Sequence, residues 1–201
     1  IGKAIQVMGE TLSVTAEAAM TNAAKSLPYC REHAPELVEE VRGIAVVAGR
    51  SLEEIFTLNA SLDLILSQSR LKQTSGPDCW TMALTGKTTA DGQTLVTWTA
   101  EDSAQWLDAC VLLRITPPTG LPCLVWTFAG FIGRPGINPH LALAVAAQSS
   151  DDGGPGMPYP FVCRKALACA TAAEAGKAIS GCNRMAGMDY VIGDAQGEIA
   201  A

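Results

Sequence analysis

The chain is short of histidine, of charge and of aromatic side chains. Only His33 and His140 stand among 201 residues, and the seven cysteines include no Cys-x-x-Cys pair. Neither the ligand spacing of a zinc site nor a redox dithiol motif is therefore available, and no metal or organic cofactor is expected. Charged residues make up 17% of the chain, the net charge is −6, and no basic cluster occurs. Phosphate neutralisation needs concentrated Lys and Arg, so nucleic acid is excluded as an expected partner. The longest apolar stretches, such as residues 141–147, fall far short of the roughly 18 residues of a membrane-spanning helix. No signal-peptide pattern is present. An odd number of irregularly spaced cysteines fits free thiols in a reducing compartment, which makes the cytoplasm the expected location. Self-association is left open by the sequence.

What is present reads as a single domain of mixed structure, with a helical prelude at 1–78 and a sheet-forming part at 79–201. Residues 2–25 are Ala-rich with apolar residues at helical spacing. Pro35 suits the first turn of a second helix. Leu37, Val38, Val41, Ile44, Ala45 and Ala48 recur along it, and Gly49 closes it. Ser51 and Glu54 form a capping box that launches a third helix, with Leu52, Ile55, Phe56, Leu62 and Ile65 inward. Residues 67–78 read as a loop. After Cys79 the period changes. Residues 80–84, 94–99, 109–115 and 123–128 read as strands, with a hairpin signal at Ala90-Asp91-Gly92-Gln93. Residues 141–147 are apolar on both faces, which predicts a central strand. Helices at 161–170 and 172–180, the second capped by Thr171 and Glu174, lead to a strand at 188–193, a turn and the start of another strand. Helices, then consecutive strands, then helices predict an α+β fold of antiparallel sheets covered by helices.

Cys79 lies in Gly76-Pro77-Asp78-Cys79-Trp80, where the helical period gives way to strands. A free cysteine is usually a small buried hydrophobe. A cysteine at the head of a β-rich segment is also where an N-terminal-nucleophile hydrolase keeps its nucleophile. Several stretches then resemble the acyl-coenzyme A:6-aminopenicillanate acyltransferase family of that superfamily. Pro35-Glu-Leu-Val-Glu-Glu-Val-Arg42-Gly43-Ile44-Ala45 is similar to the family's helix before the nucleophile, and Leu52-Glu-Glu-Ile-Phe-Thr-Leu-Asn59-Ala60 to its next helix. Asp78-Cys79 is similar to its Gly-Cys cleavage site, and Asp91-Gly92-Gln-Thr-Leu to its first hairpin. Ala129-Gly130-Phe-Ile-Gly133-Arg134-Pro-Gly136-Ile-Asn138 resembles its Ala-Gly-x-x-Gly-Lys-x-Gly-x-Asn stretch. Gly156-Met-Pro158-Tyr-Pro-Phe-Val-Cys-Arg164 resembles its Gly-x-Pro segment with the following Arg. The resemblance covers nearly the whole chain in order, and its specificity lies in the sum of the motifs.

That resemblance implies a four-layer αββα sandwich, incomplete at the C-terminal side because family members run well beyond this chain's end. It implies an acyltransferase or amidohydrolase acting on a small acylated amine, amide or thioester, with acyl-CoA as one acyl donor. Cutting between Asp78 and Cys79 would free the α-amine of Cys79 as the base for its own thiol. Glu101, or Asp102 if the register slips by one, would orient that amine. Arg134 and Arg164 are candidates for a substrate carboxylate or for structural pairing. The chain also departs from the family. Thr97-Trp98-Thr99-Ala100-Glu101-Asp102 stands where Gln-Asn-Trp-Asp is usual, Asp78 replaces a glycine, and the Asn expected as an oxyanion contact falls at Ala147. These departures make a catalytically impaired binding or assembly module the competing expectation. A third is an intact-chain cysteine hydrolase, which needs His33 or His140 beside Cys79.

Overall fold

The computed structural model describes residues 15–68, 79–102, 104–147 and 153–201. Its first part is helical: α1 (Ala16–Ala24), α2 (Leu27–His33), α3 (Pro35–Ala48), α4 (Leu52–Asn59) and α5 (Ser61–Gln68). The caps follow from local chemistry. The Thr15 hydroxyl accepts the Ala18 amide at the head of α1. Gly49 takes the left-handed conformation that ends α3 (φ 61°), and Ser51 and Glu54 make both bonds of the capping box of α4.

The third helix expected from residue 52 is two helices, broken at Ala60. The break lets α4 present Asn59 to the segment around Gly130, while α5 turns Asp63 toward Tyr159. Helix α2 was not expected. Only Leu27 and Cys30 of its seven residues are buried, too few to produce a periodic signal.

The strands form two antiparallel sheets. Strands β1 (Thr81–Leu84) and β2 (Leu95–Trp98) make a hairpin, joined through a loop in which the Asp91 carboxylate accepts the Gln93 amide and Gly92 has φ 76°. The larger sheet has the order β3 (Cys110–Ile115), β4 (Cys123–Phe128), β5 (Gly136–Ile137), β6 (Leu141–Ala147), β7 (Met188–Asp194) and β8 (Ile199–Ala200), with every neighbouring pair antiparallel. Strand β5 has two residues and therefore no readable period. Its Gly136 is required there because a Cβ would run into the Leu124 carbonyl. Helices α6 (Tyr159–Ala166) and α7 (Ala172–Ser180) complete the chain.

The sheets stack face to face, with β1 over β7 and β2 over β6. Strand β6 explains how they close. Ala142 and Ala144 pair with Gly193 and Val191 on the hairpin side, while Leu143 and Val145 pair with Ile192 and Tyr190 on the helix side. Small residues on one face let the hairpin approach, and a Cβ on Gly193 would meet Thr94 and Val96. Large residues on the other face join the helix core around Phe56 and Phe161, whose rings meet edge to face at 5.7 Å. The fold is α+β, with antiparallel sheets packed on each other and helices outside the larger one. The described residues supply three layers, and Met82 and Leu95 are exposed on the hairpin's outer face.

Candidate functional site

Cys79 lies two residues before β1. The amide and carbonyl of Trp80 bond to the side chain and amide of Thr99, which extends the hairpin ladder by one step. That step brings Cys79 to the same end of the hairpin as residues 100–102. A cavity of about 40 Å3 opens here, lined by Cys79, Trp98, Glu101, Asp102, Arg134 and Tyr159 among others. Larger clefts of about 450 and 410 Å3 contain no cysteine, and one of about 360 Å3 contains only the buried Cys123. Chemistry, not size, distinguishes the small one.

Arg134 is the unusual member. It is buried, 6% exposed, and its Nη2 lies 3.2 Å from the Asp102 carboxylate. Three rings surround its guanidinium carbon: Phe128 at 4.4 Å, Trp126 at 4.8 Å and Trp98 at 5.8 Å from their centroids. This cage offsets part of the lost hydration. Among the described residues its Nε and Nη1 have no hydrogen-bond partner.

The loop that delivers Arg134, residues 129–135, is held from behind by two side chains. Asn59 is fully buried. Its amide donates to the carbonyls of Ile55 and Gly130, each at 2.9 Å, and its oxygen accepts the Ile132 amide at 2.9 Å. Arg164 donates through Nη1 to both oxygens of Glu40, at 2.7 and 2.9 Å, and to the Ile132 carbonyl at 2.9 Å. Arg164 does not line the Cys79 cavity. It borders a separate cleft beside Leu37 and Cys123. Tyr159 reaches the cavity from the first turn of α6, where Asp63 accepts its amide with both carboxylate oxygens.

Five cysteines lie where burial disfavours the thiolate. Burial raises the thiols of Cys123, Cys163, Cys169 and Cys182, and pushes that of Cys30 up to about 12. A thiol kept protonated is a poor nucleophile. Neither histidine lines the Cys79 cavity. The His33 ring packs against Tyr29 at 4.2 Å, and His140 sits in the exposed turn that Asn138 organises by accepting the His140 and Leu141 amides with its side-chain oxygen. Ala147, at the end of β6, does line the cavity and offers it no polar side-chain atom. Asp78 lies outside the described residues. Among the described residues no group of three or more His, Cys, Asp or Glu is arranged to hold a metal ion, and no helix is long and apolar enough to cross a membrane.

Sequence reading assigned no role to Asn59, Asp63 or Tyr159. A polar Asn in the mostly apolar stretch Phe56-Thr-Leu-Asn59-Ala60 is the one weak signal that could have found the first. No protein-family model matches this chain, and no curated protein matches it.

Proposed function

We propose that the protein is a cysteine hydrolase or acyltransferase of the N-terminal-nucleophile type, acting on a small acylated amine, amide or thioester. The observation that carries this reading is the convergence of Cys79, Glu101 and Asp102 on one cavity. Cys79 is the nucleophile. Its thiol attacks the substrate carbonyl and expels the amine or thiol, leaving an acyl thioester that water or an acceptor amine resolves. The base is the α-amine of Cys79 itself, freed when the bond to Asp78 is cut. An α-amine titrates near pH 8, which matches the task. Glu101 or Asp102 orients that amine. Acyl-CoA is one acyl donor that fits the scheme, and the free cysteines fit a reducing cytoplasm.

A second reading is favoured by Ala147. With no side-chain donor there, the protein is a catalytically impaired relative that keeps the sandwich as a binding or assembly module. One experiment separates the two. Purified wild type and Cys79→Ala are incubated with short-chain acyl amides and acyl-CoA, and the same samples are followed for turnover and for fragments ending at Asp78 and beginning at Cys79. The enzyme reading expects both signals in wild type, with cleavage slow because Asp78 replaces a more permissive glycine, and neither in Cys79→Ala. Robust turnover by a wholly uncut chain, or by Cys79→Ala, would contradict it.

A further inference from the structure

We infer that Arg134 is the group that stabilises the oxyanion formed when Cys79 attacks, in place of the side-chain donor absent at Ala147. The inference rests on the nucleophile reading of Cys79. Three observations converge on it. Arg134 and Ala147 line the same cavity as Cys79. The guanidinium is nine-tenths buried or more, and two of its donors, Nε and Nη1, lack an acceptor among the described residues. Buried donors without partners are rare, and at a reactive site they mark a place where an acceptor arrives. Trp98, Trp126 and Phe128, together with Asp102, hold the guanidinium fixed, so no reorganisation is needed when charge develops.

Charge favours an oxyanion over a permanent substrate carboxylate. Asp102 already sets one carboxylate against the guanidinium. A substrate carboxylate would add a further negative charge, whereas addition of the thiolate only moves one. The sulfur of Cys79 bonds to the carbonyl carbon, and the π pair of the C=O moves onto oxygen. That oxygen accepts a hydrogen bond from Nε or Nη1. The pair then returns, the bond to the leaving group breaks, and the leaving amine or thiolate takes its proton from the protonated α-amine.

The test uses butyraldehyde and succinic semialdehyde, which form hemithioacetals with a thiol, and iodoacetamide, which alkylates it without forming an oxyanion. In Arg134→Gln both aldehydes should bind Cys79 about 100-fold more weakly, as loss of an oxyanion donor implies, while iodoacetamide alkylation, which forms no oxyanion, should fall by far less. Arg134→Lys should fall between. If Arg134→Gln does not fold, 15N-labelled wild type answers instead. The Arg134 Nε–H resonance, assigned by its loss in Arg134→Lys, should move when butyraldehyde is added. Adducts indifferent to Arg134, an unmoved resonance, or a loss confined to succinic semialdehyde would overturn this role. The last result would make Arg134 a carboxylate clamp. A Cys79 that takes neither aldehyde nor iodoacetamide would sink the nucleophile reading along with it.

Discussion

Asn59→Ala tests how the site is held in place. The side chain is fully buried and makes three hydrogen bonds of 2.9 Å, two of them to the loop that carries Arg134. The carbonyl of Ile55 keeps its helical partner after truncation. The Gly130 carbonyl and the Ile132 amide lose theirs. Each buried group left unsatisfied costs about 1–3 kcal/mol, and partial relaxation of the loop puts the expected sum at about 3 kcal/mol. For a chain of this size that corresponds to a fall in Tm of about 6–12 °C. Urea unfolding followed by tryptophan fluorescence measures it, with m expected to be unchanged. Asn59→Asp should cost more, because it removes the donor to Gly130 and places a carboxylate in a dry site. A loss below about 1 kcal/mol for Asn59→Ala would refute the argument, since it would mean that the loop finds equal partners without Asn59.

The remaining predictions concern charge and space. Burial holds the Asp63 carboxyl well above its ordinary value of 3.8, against the pull of the Tyr159 amide. The folded chain keeps a proton that the unfolded chain releases, so this contribution to stability is complete below about pH 3.8 and is lost as pH rises toward the folded value. Asp63→Asn should therefore gain stability relative to wild type as pH rises from 4 to 8. Parallel unfolding curves across that range would contradict the assignment. In Gly133→Ala the new Cβ would overlap the Pro160 carbonyl and lie 2.8 Å from Arg164 Cγ, so about 1–3 kcal/mol should be lost in the same unfolding assay. Gly43→Ala, with open space around the new methyl and a helical backbone, should gain about 0.5–1 kcal/mol.

The legible parts of the fold are those whose signal is local. The capping box of α4 needs only Ser51 and Glu54, the end of α3 needs only Gly49, and β4 and β6 carry their own apolar patterns over six and seven residues. The parts that were not legible are set by distant partners. The break at Ala60 exists because Asn59 and Asp63 face different segments, bonding to residues 71 and 96 positions away. Strand β5 exists because β4 and β6 flank it. The site divides in the same way. Cys79, Glu101, Asp102 and Arg134 were each visible as reactive or charged residues in distinctive surroundings, and they line one cavity. The groups that hold them, Asn59 above all, look like ordinary helix residues until the chain is folded. Arg164 shows the converse. An isolated arginine on an apolar helix marks an ion pair with Glu40, and its position away from Cys79 could not be read from spacing.

In the proposed mechanism Cys79 carries the acyl group. The most direct measurement is the mass of the protein and of its proteolytic peptides after brief exposure to acetyl-CoA or an activated acyl ester, quenched in acid. One added acyl group is expected, located on the peptide containing Cys79, absent in Cys79→Ala and removed by hydroxylamine as a thioester should be. An acyl group carried on any other cysteine, or turnover with Cys79 never modified, would contradict it.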